Sequence, residues 1–319
     1  INRKDLKRAA WGKIRGVHPS PMLVTLLFLL LGSGIGLAVD FVVANPAETV
    51  QMLARSVALG GEEMMAAATD AVGSSTIVAL FLNVLMFLYT SVLAYGYCAY
   101  TLRRTDGEAA GYSNLLDGFS SVGRVIGMQI LIMGFTMVWS MAVMMPLTML
   151  GIFLVLMAMM IRESLAVVGL LLFVPCLIAG MLLLEYFILR YALAPYLLAD
   201  HPEMGGMEAV RRSRQLLRGH SGELFKLMLS FFGWQLLAGV ISLVGGGLVG
   251  GGMMAAGFAA GGGQLVTVGA YVFVIVAFLA GIPLSLVITP YYHGTLAEYY
   301  RALLPQAQPL TEPELPETF

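Results

Sequence analysis

Long apolar runs alternate along the chain with short polar connections, and that spacing predicts membrane-crossing helices before any single residue is considered. A bilayer core of about 30 Å is crossed by about 20 apolar residues in helical form, because backbone N–H and C=O groups find no water there and must bond to one another. Six stretches satisfy this: residues 22–43, 77–102, 125–161, 165–189, 224–249 and 265–289. The third is longer than a bilayer needs, so the pattern predicts tilt, or a break near Pro146 and Gly151. The fifth runs into a glycine-rich tract from Gly245 to Gly263, which reads either as a broken helix with a flexible hairpin or as a tightly packed turn.

The connections carry their own signals. In 44–75, Asn45 reads as a helix cap with Pro46 at the first helical position, and Val50, Leu53, Val57, Met64 and Met65 form an intermittent apolar face. That segment reads as an amphipathic helix on the outer surface or as a lid over an opening between spans. Residues 105–123 read as a short re-entrant or surface helix, with Leu115, Leu116 and Phe119 clustered and Asp117 outward. Asp200-His201-Pro202-Glu203 makes a turn before a basic helix from about Met207 to Leu217, within 203–220. From Pro305 on, four prolines with Glu312, Glu314 and Glu317 cannot build a helix or a core, so 305–319 reads as a flexible tail. The domain organisation is therefore a basic arm (1–21), a transmembrane domain (22–304) and the tail.

Composition narrows the class. With 59% hydrophobic and 12% charged residues, the chain is too apolar for a water-soluble enzyme, a disordered chain or a nucleic-acid-binding domain. The formal net charge of -1 carries no information, so the signal lies in where the charges sit. Arg3, Lys4, Lys7, Arg8, Lys13, Arg15, Arg103, Arg104, Arg124, Arg190, Arg211, Arg212, Arg214, Arg218, Lys226 and Arg301 fall on one side of the six spans. Only Arg55 and Arg162 fall on the other, which by the positive-inside rule places both termini in the cytoplasm. The expected class is an all-α, polytopic membrane helix bundle. The first run is too long for a signal-peptide core and reads as a retained helix. Cys98 and Cys176 each lie in an apolar run, so no disulfide framework is indicated.

Several stretches resemble a known family. They are Asn2-Arg3-Lys4-Asp5-Leu6-Lys7, Ala199-Asp200-His201-Pro202-Glu203, Ser213-Arg214-Gln215-Leu216-Leu217-Arg218-Gly219-His220-Ser221-Gly222-Glu223-Leu224-Phe225 running on to Trp234, and Pro290-Tyr291-Tyr292-His293-Gly294. Together they resemble an uncharacterised bacterial integral membrane family, domain of unknown function 975, with Asp200, Pro202, Ser213, Gly219, His220, Trp234, Pro290 and Tyr291 as its marks. The resemblance implies a multi-helix membrane protein and no activity. Trp139 is farther from Val174-Pro175-Cys176 than the family pattern implies, so the third and fourth spans look extended.

Candidate chemistry is sparse. Met133, Met137, Met141, Met145 and Met149 recur every four residues; thioethers bind Cu(I), but a spacing of four drifts about 40° per step around a helix, and Met is an ordinary packing residue. His18, His201, His220 and His293 fall on the expected cytoplasmic side with Asp200, Glu208 and Glu298; His201, His220 and His293 are candidate metal ligands, or interfacial histidines bonded to backbone or lipid phosphate. No cofactor is indicated. Ionisable and polar groups within the spans, Asp40, Asn83, Glu185 and Arg190, are candidates for a polar pathway. Asn83, Thr90 and Tyr97 recur at seven and share a helix face, which suits helix–helix hydrogen bonding as well as a path. Arg211, Arg212, Arg214 and Arg218 lie where anionic lipid head groups would sit, or serve as topological anchors. The seams Gly32/Gly36, Gly246/Gly250, Gly247/Gly251 and Gly257/Gly261 allow close helix approach.

No Gly-x-Ser-x-Gly elbow, Walker loop, paired membrane aspartates or Cys-His arrangement is legible. The leading expectation is non-enzymatic handling or transport of a small or lipid-like molecule, with Trp139, Trp234 and the 213–220 box at the rim. The alternatives are an accessory or scaffold subunit that binds another membrane protein or a second copy through its glycine seams and acidic tail, and an enzyme acting on lipid head groups. Expected partners are the bilayer and its anionic cytoplasmic lipids, with no nucleic acid.

Overall fold

A computed structural model describes residues 3–14, 20–43, 74–161, 166–260 and 263–304. Among these residues there is no strand. Six helical stretches are long and apolar enough to cross a membrane, and the protein is a multi-pass membrane protein of all-α class. The expected helix or lid in 44–75 falls, apart from its last two residues, outside the described residues, as do His18 and 305–319.

The chain forms two compact units, each described by itself. The first comprises Ile1–Leu6, Ser121–Met228 and Leu296–Phe319; the second comprises Lys7–Ser120 and Leu229–Thr295. The elements, in chain order, are α1 (Arg3–Ile14), α2 (Pro21–Leu29) with a π-helical turn (Leu30–Gly34), α3 (Ile35–Val43) and α4 (Ser74–Thr105). A 3-10 turn (Tyr112–Leu116) and α5 (Asp117–Ser120) follow, then α6 (Val122–Ile161), α7 (Ala166–Ile188), a 3-10 turn (Leu189–Tyr191), α8 (Ala194–Asp200) and α9 (Gly206–Leu216). The last are α10 (Ser221–Gly246), a second π-helical turn (Gly247–Gly251), α11 (Gly252–Ala259) and α12 (Gly263–Leu303).

In the first unit, α6 and α7 pair antiparallel, since contacts descend one helix as they ascend the other. Gly151 meets Phe173, Gly180 meets Met144, Trp139 stacks on Phe187 and Phe135 stacks on Tyr191. The break expected near Pro146 and Gly151 does not occur: α6 is one helix of 40 residues with Pro146 inside it. Close packing explains this, because a Cβ at Gly151 would lie 2.1 Å from the Phe173 ring, so the glycine serves the neighbouring helix instead of a bend. At 1.5 Å per residue α6 is about 60 Å long, twice a bilayer core, so part of it stands outside the hydrocarbon.

In the second unit, α10, its π turn and α11 run antiparallel to α12. Gly246 and Gly250 lie against Phe273, Gly257 against Val266, Gly269 against Met254, and Gly281 against Ser242. The broken helix expected over Gly245–Gly263 is therefore replaced by helix that continues to Ala259 with a π turn inside it. The glycines strip side chains from one face so that α12 can approach at backbone distance, and those contacts hold a segment of poor helix propensity in place. Likewise α12 extends past the expected 289 to Leu303, carrying Pro283 and Pro290 within it.

The same unit packs α2 onto α4 around Val24, Leu93, Tyr97, Tyr100, Ala110 and Leu115. Thr25 donates its one hydroxyl hydrogen to the Pro21 carbonyl at 2.8 Å, so the Tyr97 hydroxyl, 2.7 Å away, donates to Thr25. The 105–123 segment is a 3-10 turn followed by one helical turn, with Leu115 buried but Leu116 and Phe119 exposed. Asp117, expected to point outward, accepts a hydrogen bond from Asn114 and pairs with Arg103 at 3.0 Å. The basic arm holds a helix, α1, pinned by Lys7, whose ammonium donates to Ser230 at 2.6 Å and lies over the Phe231 ring.

Candidate functional site

In the first unit, α9 follows the extended residue Gly205, carries Glu208 in its first turn and Arg214 in its last, and buries Ala209, Val210 and Ser213 together with Leu217 at its end. That burial pattern, at i, i+1, i+4 and i+8, fixes which face meets solvent: Arg211, Arg214 and Arg218 recur at i, i+3 and i+7 on the other side. A Cβ at Gly206 would lie 2.6 Å from the Met128 backbone nitrogen, so the helix start is laid directly on α6.

The exposed face borders a cavity of about 410 Å³. Four guanidiniums line it, those of Arg190, Arg211, Arg214 and Arg218, together with Gln215 and Tyr186. Its remaining wall is the turn into α10, from Gly219 and Ser221 to Gly222. No carboxylate is found among the described residues lining the cavity.

Local contacts position three of the four arginines. Arg190 sits in the 3-10 turn that ends α7, its guanidinium over the Phe187 ring at 5.4 Å, and its carbonyl accepts the buried Ser213 hydroxyl at 2.9 Å. Arg214 lies over the Phe135 ring at 5.9 Å. Arg218 precedes Gly219, whose φ of +88° is a left-handed conformation that a side chain would strain. Gly219 turns the chain into α10, where His220 accepts the Glu223 and Leu224 amides and, through the same carbonyl, the Tyr299 hydroxyl.

The first amides of a helix have no intrahelical acceptor and sit at the positive end of the helix dipole. Ser221 and Gly222, at the start of α10, line the cavity, and a Cβ at Gly222 would meet nothing within 4 Å. Four arginines and a helix start thus line one concavity. Arg and helix N-termini both suit phosphate and carboxylate, the first through its planar fork of donors.

Residues 1–307 match the model of a family described as Protein of unknown function (DUF975). The chain belongs to this family. No curated protein and no solved structure matches the chain. In this DUF975 member the resembling stretch 213–225 builds the cavity's wall and supplies two of its four arginines. Asp200, another family-like position, accepts a bidentate pair from Arg301 at 2.7 and 2.8 Å and the Tyr300 hydroxyl at 2.8 Å, which ties α8 to the end of α12. Pro290 lies inside α12, and Tyr291 packs edge-on against Trp11 and Phe231 in the second unit. Pro202 follows α8 in the turn before α9, and Trp234 is exposed on α10.

The other sequence candidates separate. Arg212, grouped by sequence with the head-group arginines, pairs instead with Glu208 at 2.7 Å and lies outside the cavity lining. Of the candidate pathway, Asp40 and Asn83 belong to the second unit and Glu185 and Arg190 to the first. Asp40 is on α3, and its side chain lies outside the described residues. Asn83 is exposed on α4, Glu185 is exposed on α7, and only Arg190 reaches the cavity. In the polar seam, Thr90 bonds back to Met86 and Phe87 of its own helix while Tyr97 bonds across to Thr25, which is helix cross-linking.

Among the described residues no three His, Cys, Asp or Glu side chains gather as a metal site would require. His201 and His220 lie in the first unit and His293 in the second. Met133, Met137, Met141, Met145 and Met149 are each between 51% and 61% exposed, so α6 presents them outward as an apolar face. One contact is invisible to sequence spacing: Cys98 and His293, 195 positions apart, place sulfur and Nδ1 3.9 Å from each other. Cys98 is buried and the His293 ring packs edge-on against Tyr97, which gives the pair a packing role.

Proposed function

We propose that this protein is a non-enzymatic membrane protein that handles a small or lipid-like anion, captured by its charged group in the arginine-lined cavity. The reading places it in the bacterial cytoplasmic membrane with the cavity on the cytoplasmic side, where its basic residues concentrate. One observation carries it: four arginines surround a cavity of about 410 Å³, within the range of small-molecule sites, about 300–1,000 Å³. Guanidiniums that only anchored topology would need water around them, not a shared concavity. Long apolar helices beside the site offer a surface for an acyl or prenyl chain while the head group stays in the cavity.

The accessory-subunit alternative draws on the glycine seams and the acidic tail. Gly246, Gly250 and Gly257 are filled by α12 of the same chain, whereas a Cβ at Gly247 or Gly251 would meet nothing within 4 Å, and the tail lies outside the described residues. The test is reconstitution of the full chain into phosphatidylcholine vesicles doped with an anionic lipid, followed by native mass spectrometry of protein released from them. Retained anionic lipid, lost when Arg190 and Arg214 are both changed to Gln, is the expected result; equal retention of neutral and anionic lipid would remove the proposal.

A further inference from the structure

The cavity's charge is out of proportion to a singly charged ligand. Four guanidiniums contribute +4, because arginine stays protonated at all relevant pH, and no described carboxylate in the lining offsets them. Like charges around one concavity repel, and although water and salt screen exposed groups, the arrangement favours a counter-ion of matching valence. The neighbouring Arg212 shows the contrast: with Glu208 at 2.7 Å its charge is matched within its own helix.

Donor geometry points the same way. Each guanidinium offers a planar fork that suits two oxygens at once, and the start of α10, the positive end of its dipole, lies in the lining at Ser221 and Gly222. A phosphodiester has only two free oxygens and one negative charge, too few for four forks and a helix start. A diphosphate, or a terminal phosphomonoester, presents three or more free oxygens and about two or more charges at pH 7. Two of the forks are already oriented by aromatic rings, Arg190 by Phe187 and Arg214 by Phe135, so less freedom is lost when a ligand arrives.

We infer that the cavity between α7, α9 and the start of α10 is a site for a multiply charged phosphate group, a diphosphate or terminal phosphomonoester, in preference to a phosphodiester. The inference rests on the anion-handling reading above and names its ligand class. The group is carried by a membrane lipid or is free in solution, and the two sources are separable by experiment.

The full chain in phosphatidylcholine nanodiscs is titrated with inorganic diphosphate, and the titration is repeated with phosphatidic acid or phosphatidylglycerol in the disc. Saturable diphosphate binding is expected. Phosphatidic acid should compete with it and phosphatidylglycerol should not. Arg211→Gln or Arg214→Gln should each weaken binding about tenfold, the scale of one charge-assisted contact, whereas Arg212→Gln leaves it unchanged. Both substituted side chains are exposed, so helix content and melting should match the parent and separate lost binding from lost folding.

Diphosphate binding without competition from phosphatidic acid supports the multiply charged phosphate site and overturns the lipid part of the functional reading. Equal retention of phosphatidylglycerol and phosphatidic acid, with no diphosphate binding above that of chloride, overturns the inference and leaves the lipid reading standing. Binding that Arg212→Gln weakens as much as Arg214→Gln also overturns it, since the cation would then act through general charge and not through the cavity.

Discussion

The Ser213 hydroxyl donates to the Arg190 carbonyl at 2.9 Å, joining the basic helix to the end of the preceding span at the point where their arginines meet. Ser213 is fully buried, so this bond locks the relative position of Arg190 and Arg214 at the cavity wall. Ser213→Ala should lower stability by about 1 kcal/mol, the usual cost of a lost buried hydrogen bond. It should also weaken anion binding several-fold without removing any cavity charge, and thermal melting alongside a diphosphate titration would measure both effects.

The Asp200 carboxylate accepts three donors, two from Arg301 and one from Tyr300. Asp200→Asn or Arg301→Gln should each destabilise by about 1–3 kcal/mol, the range for charge-assisted hydrogen bonds that retain some solvent contact. The double variant should cost clearly less than the sum, because each single change leaves the other partner stranded. Chemical denaturation in detergent gives all three values.

Two adjacent glycines in the π turn form a matched pair. A Cβ at Gly250 would stand 2.2 Å from the Phe273 backbone nitrogen, whereas one at Gly251 meets nothing within 4 Å. Gly250→Ala should cost about 3 kcal/mol or prevent correct folding, as overpacking against backbone does. Gly251→Ala should be neutral or stabilise by about 0.5 kcal/mol through reduced chain entropy in the unfolded state. Equal melting temperatures for the two variants would contradict this packing.

Thr25 and Tyr97 should couple energetically across α2 and α4. A cycle of Thr25→Val, Tyr97→Phe and the double variant is expected to give a coupling of about 1 kcal/mol, within the range seen for hydrogen bonds between membrane helices. A coupling near zero would mean that the stacked Phe28 and Tyr97 rings, 4.6 Å apart, hold the helices together unaided.

Hydrophobic length alone located the six spans, because lipid leaves a backbone no alternative to helix. Where glycine and proline interrupt a span, sequence reasoning fails for a definite reason. Local propensity predicts a break at Gly151 and through Gly245–Gly263, but tertiary contacts with Phe173 and α12 use those same glycines as approach surfaces. The cavity was half legible. Sequence alone groups Arg211, Arg212, Arg214 and Arg218 as a head-group set, and the i, i+3, i+7 spacing of Arg211, Arg214 and Arg218 separates Arg212 from the other three. In sequence Arg190 reads as part of a pathway instead, since its meeting with α9 depends on the Ser213 bond across 23 positions, which no periodicity encodes. The Cys98–His293 contact was hidden for the same reason.

The left-handed turn at Gly219 offers a way to sort kindred sequences without any biochemistry. A β-branched residue there would force the backbone out of its present course and swing the last arginine away from its fellows. Chains that have lost this glycine should therefore have drifted at Arg214 and Arg218 as well, and those that keep all three would be the ones to screen first for a shared ligand.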